Sequence, residues 1–231
     1  MLKAVSRLFS LKNKLELING KWELKNLISY FSFLILSLLF SCAAPRVEIP
    51  VYEGIGVEEA LNSKNSISAI EATFSITLEE DNTEMKGDGV LNIHRNGNLN
   101  LRVYSFGFLA LELISENGII KSVPVIDRNK GTILTYGLRD CLFWWNIKDF
   151  NIYEEEDVYL LKNLSRRLWI DRKTMFPIKQ TVFLDDGSEL NIHYENPEKA
   201  GDIWYPSKIK IDLSKYSVTL KIKEISFFPG V

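Results

Sequence analysis

The sequence predicts a mainly β (α+β) protein built on a single curved antiparallel sheet of about eleven strands, with short helices as plug or lid. Three observations predict it. Apolar and polar residues alternate over much of the chain after residue 66, the period-two signature of strands with one buried face. Asn96-Gly97, Asn117-Gly118 and Asp186-Gly187 punctuate those runs with tight-turn signals that join antiparallel neighbours. No repeat period and no second linker divides this part of the chain.

The elements follow in order. Val57-Glu-Glu-Ala-Leu-Asn-Ser-Lys64 reads as a short helix stopped by Asn65 and Ser66. Ile70, Ala72, Phe74, Ile76 and Leu78 then share one face of a strand. Residues 89–94, 99–104, 109–115, 118–125 and 132–136 continue as strands. Alternation stops at 138–147, an apolar and aromatic run that fits a helix or an irregular lid. Glu154-Glu-Glu-Asp157 reads as a solvated turn, because consecutive carboxylates do not converge on one ion. Strands resume at 158–162, 167–171, 177–184, 189–194, 206–213 and 216–227. So long a sheet curls through its own twist, and its inner face must be covered. Two solutions stay open on periodicity alone: a half-open barrel with an apolar interior partly plugged by helices, or a fully packed core.

Composition excludes other classes. The 231 residues are 46% hydrophobic with a formal charge of -2, too apolar for global disorder. They lack the basic excess of a nucleic-acid binder, so no nucleic-acid partner is expected. The neutral total hides two unlike parts. Residues 1–26 hold six Lys/Arg and two Glu, a formal +4; residues 42–231 hold twenty-two Lys/Arg and twenty-eight Asp/Glu, a formal -6. Between them, residues 27–41 carry no charge. As a helix that run would be about 22 Å long, short of a comfortable hydrocarbon span. With Lys21 and Lys25 before it and small residues after it, it fits an export signal; an uncleaved anchor is the alternative.

Leu39-Phe40-Ser41-Cys42 resembles the bacterial lipobox, whose cysteine thiol receives a diacylglyceryl group and becomes the new N-terminus. The match lies at Leu39, Ser41 and Cys42. The expected organisation is therefore a signal peptide with an extended basic leader at 1–41, a lipidated N-terminus and tether at 42–54, and a folded domain at 55–231. Two or more acyl chains on Cys42 would anchor the chain stably to a membrane. Cys141 is then the remaining thiol of the mature chain and reads as buried and inert.

The order of these features resembles the bacterial outer-membrane lipoprotein carrier and receptor superfamily, the LolA/LolB-like lipoproteins. The likeness covers most of 55–228. It is carried by Leu168-Trp-Ile-Asp-Arg-Lys-Thr-Met-Phe-Pro177, Asp186-Gly187, Ile192-His-Tyr194 and Trp204-Tyr-Pro-Ser-Lys-Ile209. The resemblance implies an unclosed half-barrel whose concave apolar face accepts acyl chains. Candidate wall residues are Phe74, Ile76 and Leu78, then Leu91, Ile93, Leu99, Leu101 and Val103, then Leu111, Leu113, Phe183 and Ile192. Leu138, Leu142, Phe143, Trp144 and Trp145 are candidates for the lid or mouth.

The resemblance also implies a membrane-inserting loop between early strands, placed here at Phe106, Phe108 and Leu109. Independently, Gly107 permits a turn that exposes large neighbours; inward core aromatics joined by a bulge are the other reading. The expected partners are lipid acyl chains or lipoproteins, the membrane through acylated Cys42, and a periplasmic lipoprotein carrier. The expected location is the bacterial outer membrane, lipid-anchored and facing the periplasm, since Ala43 lacks the acidic residue associated with inner-membrane retention. No cofactor, metal or catalysis is expected. His94 and His193 have no partner at triad or metal spacing, and Asp127 and Asp171 sit at turns where capping explains them. A non-catalytic envelope scaffold with the same fold is the alternative function.

Overall fold

The computed structural model describes Val51, residues 55–81 and residues 83–230. The expected leader, Cys42 and most of the tether lie outside the described residues. Helix α1 (Val57–Asn62) precedes two meanders. The first comprises β1 (Ile67–Glu80), β2 (Thr83–His94), β3 (Leu99–Ser105), β4 (Phe108–Glu116) and β5 (Ile119–Val123). The second comprises β6 (Asn151–Glu154), β7 (Val158–Lys162), β8 (Arg166–Asp171), β9 (Pro177–Phe183), β10 (Glu189–Ala200), β11 (Ile203–Leu213) and β12 (Tyr216–Pro229).

All twelve strands form one antiparallel sheet in the order β5-β4-β3-β2-β1-β12-β11-β10-β9-β8-β7-β6. The last strand returns to pair with the first, Ile76 opposite Leu220 and Leu78 opposite Val218. β5 and β6 are left as free edges, so the sheet is not closed. The single antiparallel sheet is what the alternation predicts, and its lack of closure is what the resemblance implies.

The turns show why the register holds. Asn117 and Gly118 both take positive φ (50° and 79°), the two-residue turn whose twist matches that of its strands. Ile70, Ala72, Phe74, Ile76 and Leu78 are all buried, as their shared face requires. A bulge shifts the pairing between Thr73 and Phe74, where β12 steps from Glu224 to Ile222. Beyond it, Ile225 and Phe227 pack against the core in place of the residues a strict alternation would choose.

Two local expectations are corrected. Residues 132–136 are helical, not a strand. Helix α2 (Arg128–Thr132) runs through a π-helical stretch (Ile133–Gly137) into α3 (Leu138–Leu142). Asp127 caps the start, its carboxylate accepting from the backbone N–H of Asn129 and Lys130 at 2.9 and 3.1 Å. The β-branched look of Thr132-Ile133 yields to burial on the helical spacing Leu134, Leu138, Leu142. Glu154 ends the edge strand β6 instead of opening a turn; all four residues of that strand are exposed, so it carries no alternation to read.

The helical insert fills the concave side. Ile133, Leu134, Leu138, Cys141, Leu142, Phe143, Trp144 and Trp145 join the inner residues of the strands in one hydrophobic cluster. Trp145 meets Phe143 and Trp144 edge to face at 5.7 and 5.6 Å between ring centres. Cys141 is fully buried, its Sγ donates to the Leu138 carbonyl at 3.3 Å, and burial pushes the thiol well above its usual pKa. Among the described residues no helix is long and apolar enough to cross a membrane.

Candidate functional site at the open seam

Because β12 closes on β1, the link from β5 to β6 must travel from one free edge of the sheet to the other. The helical insert is that link. Beside it, on the open side of the sheet between the free edge β5 and the β8–β9 hairpin, lies the seam cleft, of about 850 Å³. One wall is Ile120, Lys121 and Ser122 of β5 with Val125 and Ile126 after it. The other is Arg166 of β8, Val182 and Phe183 of β9, and Leu184 to Asp186 of the following turn. The insert contributes Arg128, Gly131, Thr132, Tyr136, Arg139 and Asp140.

The floor is charged. Asp140 is 4% exposed, and its Oδ1 meets Arg139 Nε at 2.8 Å and Arg166 Nη2 at 3.0 Å. A carboxylate so deep in the protein survives because two guanidiniums share it. Arg139 also lies over the Tyr136 ring at 5.0 Å. Next to this group, Gln180 Nε2 donates to the Asp140 carbonyl at 3.3 Å. The buried Gln180 Oε1 and Tyr194 Oη have no partner among the described residues.

A second charged group pins the N-terminal end of the insert. Glu80 at the end of β1 meets Lys130 of α2 and Lys215 of the β11–β12 turn, each at 2.7 Å. Asp127 accepts from Tyr216 Oη at 3.1 Å, and both lysines approach the Tyr216 ring, at 5.5 and 5.2 Å. Hydrogen bonds from Lys130 and then Lys215 hold the Glu80 carboxyl down at about 2, against an ordinary 4.5. The folded state therefore binds fewer protons than the unfolded chain between those values. The Glu80 contribution to stability is complete above about pH 4.5 and is lost as pH falls through about 2. The Tm advantage of the native chain over Glu80→Gln should follow that window; a difference unchanged down to pH 2 would refute the pairing.

The sequence-predicted site residues fall into three places. Phe74, Ile76, Leu78, Leu91, Ile93, Leu99, Leu101, Val103, Leu111, Leu113 and Ile192 are packed core, with Leu138, Leu142, Phe143, Trp144 and Trp145 of the insert against them. Of the candidate wall residues, Phe183 lines the cleft. Leu142, Trp144 and Trp145 border a separate void of about 10 Å³, and neither indole N–H has an acceptor among the described residues. Phe106, Phe108 and Leu109 project from the β3–β4 turn, 98%, 78% and 51% exposed. Phe106 takes φ 51° and Gly107 φ 81°, so the turn is of the hairpin type normally given to Asn-Gly. A phenylalanine held there with no packing against it costs energy, and its exposure is the geometric outcome.

Sequence reading missed several residues. Val123 and Val125, 70% and 92% exposed, extend the apolar rim from the cleft, with Val123 opposite Glu112 on β4, four residues from Phe108. Arg166 lies 26 residues beyond the adjacent Arg139-Asp140 pair, with no local signal that they meet. His94 and His193 are exposed on separate strands. Asp171 caps the turn after β8, accepting from the backbone N–H of Lys173 and Thr174. Among the described residues no three His, Cys, Asp or Glu side chains are placed to hold a metal ion.

No protein-family model and no curated protein sequence matches the chain. Solved structures do. A LolA superfamily protein from Nitrosomonas europaea superposes with a TM-score of 0.50 at 11% identity, over 77% of this chain and 96% of that one. A DUF1329 family protein from Desulfovibrio piger gives 0.49 at 9% identity, over 80% and 95%. A Vibrio parahaemolyticus domain named for outer membrane lipoprotein sorting gives 0.47 at 17%, over 76% and 93%. Identities this low speak to architecture alone, and the Nitrosomonas structure carries that argument: the chain has the fold of the LolA superfamily.

Proposed function

We propose that this chain is a membrane-anchored bacterial lipoprotein that binds acyl chains or lipoproteins in the seam cleft and acts in lipoprotein localisation to the outer membrane. The observation that carries the reading is the cleft itself, an 850 Å³ opening on the open side of a LolA-type sheet, with Ile120, Val125, Ile126, Val182, Phe183 and Leu184 among its polar and charged lining. Acylation of Cys42 would hold the domain at the membrane, facing the periplasm. Complete burial of a sixteen-carbon chain would contribute roughly 12 kcal/mol at about 0.8 kcal/mol per methylene. A cleft open along one side buries less, which suits a ligand that must be released.

Phe106, Phe108 and Leu109 would enter the bilayer surface while the cleft loads or unloads. Apolar side chains with this exposure on a single turn are costly in water unless they meet an apolar partner. The other reading is an interaction scaffold, favoured by the exposed edge strand β5, where Ile119 is 63% and Ile120 40% exposed. A single experiment separates them. The full chain should take up a fluorescent fatty acid and pass it to phospholipid vesicles. Phe108→Glu with Leu109→Glu should slow the passage at least about tenfold and spare uptake. Absence of uptake would favour the scaffold, and passage at the native rate would remove the loop from the mechanism.

A further inference from the structure

The cleft is not a purely apolar slot. At its floor two guanidiniums converge on one carboxylate oxygen, so the Arg139–Asp140–Arg166 group carries a formal charge of +1. Arg166 is 11% and Arg139 31% exposed at the side chain, so neither is fully hydrated. The other acids along the cleft are engaged elsewhere or stand at its outer edge. Asp127 caps α2 and accepts from Tyr216. Asp186 accepts from Ser188 and faces Arg128 at 4.0 Å, and Asp185 is exposed in the same turn.

Donor capacity remains at the floor. Each guanidinium has five N–H donors in a planar fork that matches a carboxylate or phosphate. The contacts made within the chain use Arg139 Nε toward Asp140, Arg166 Nη2 toward Asp140, and Arg166 Nη1 toward the Asn146 carbonyl at 3.5 Å. The Tyr136 ring under Arg139 fixes the plane of its fork. Apolar side chains of Ile120, Val125, Ile126, Val182, Phe183 and Leu184 line the cleft beside this group. A partly buried excess positive charge next to an apolar wall is the complement of an amphiphile with an anionic head.

We propose that Arg139 and Arg166 form a head-group subsite, so that the cleft takes a lipid with a carboxylate or phosphate head, its chain lying along the β5 and β9 walls. This rests on the acyl-binding reading and narrows it. The acylated end of a lipoprotein is a neutral thioether, ester and amide assembly, which offers no charge to this floor. A fatty acid and a phospholipid both do.

Three probes of one chain length test the proposal on the full chain: hexadecanoic acid, hexadecyl phosphate and hexadecan-1-ol, each followed by native mass spectrometry and by displacement of a fluorescent fatty acid. The two anions should bind at least about tenfold tighter than the alcohol at low salt, with the gap narrowing as salt rises. Which anion binds tighter names the source, a free fatty acid or a phospholipid. Arg139→Gln should bring the anions toward the alcohol. Equal binding of all three probes by the native chain would overturn the subsite and leave acyl binding standing. Binding of none would overturn both.

Discussion

Gly89→Ala is expected to destabilise the fold by about 3 kcal/mol, at the upper end for an overpacked core. A Cβ at residue 89 would lie 2.2 Å from Phe74 Cε2 and 2.6 Å from Cζ. The neighbour is a rigid ring, not the free end of a long side chain. Phe74 is 2% exposed and sits opposite Gly89 across the β1–β2 ladder, so the ring lies flat over the glycine and has nowhere to retreat. Gly89 has no left-handed φ to protect, and with free space above it alanine would stabilise by restricting the unfolded chain. The clash decides the sign. In a domain of this size the loss corresponds to a Tm drop of roughly 6–12 °C. Phe74→Leu in the same chain should recover part of it, because the two changes share one contact. A Tm for Gly89→Ala within a degree of the native value would show that β1 and β2 are not paired in this register.

That pair also marks the limit of what the sequence discloses. The alternation Ile70 to Leu78 identifies β1 and its buried face, since each residue's side follows from its neighbours two away. Gly89 looks like the first residue of a strand with nothing to pack; the reason for glycine lies on another strand. The helical insert was half legible. Its apolar end at 138–147 breaks the alternation, but Ile133-Leu134-Thr135 resembles a strand while it is read apart from Leu138 and Leu142. The Asp127 cap was visible as a residue type, and only the backbone bonds from Asn129 and Lys130 show it starting a helix. β6 left no trace, because an edge strand exposed on both faces has no pattern to follow.

The cleft was illegible for a topological reason. Because β12 returns to β1 and β5 does not pair with β6, the two free edges of the sheet fall near the middle of the sequence, on either side of the β5–β6 connection. The insert must lie across the opening. Its apolar side chains pack into the concave face, which the resemblance implies is partly plugged by helices and accepts acyl chains, and Arg128, Thr132, Tyr136 and Arg139 are turned to the seam. The residues that line the opening therefore come from segments with no apolar periodicity in common: the β5 edge, one side of α2 and the turn after β9.

Asp140→Ala should be more damaging than its size suggests, at about 3 kcal/mol or more. The substitution removes few apolar contacts. Its cost comes from Arg166, a guanidinium with an 11% exposed side chain that would keep one long hydrogen bond, to the Asn146 carbonyl, and lose its counter-ion. Arg139, more exposed, can turn toward water and should contribute less. The asymmetry is testable by urea unfolding. Asp140→Ala with Arg166→Met should be more stable than Asp140→Ala alone, since an apolar side chain in that place leaves no unpaired charge, whereas adding Arg139→Met should recover little. Removing Arg166 alone is the mirror case, because Asp140 would retain Arg139 at 2.8 Å and the loss should be smaller. If Asp140→Ala unfolds at the native urea concentration, the pair does not hold the insert against β8, and Arg166 must reach solvent through the cleft.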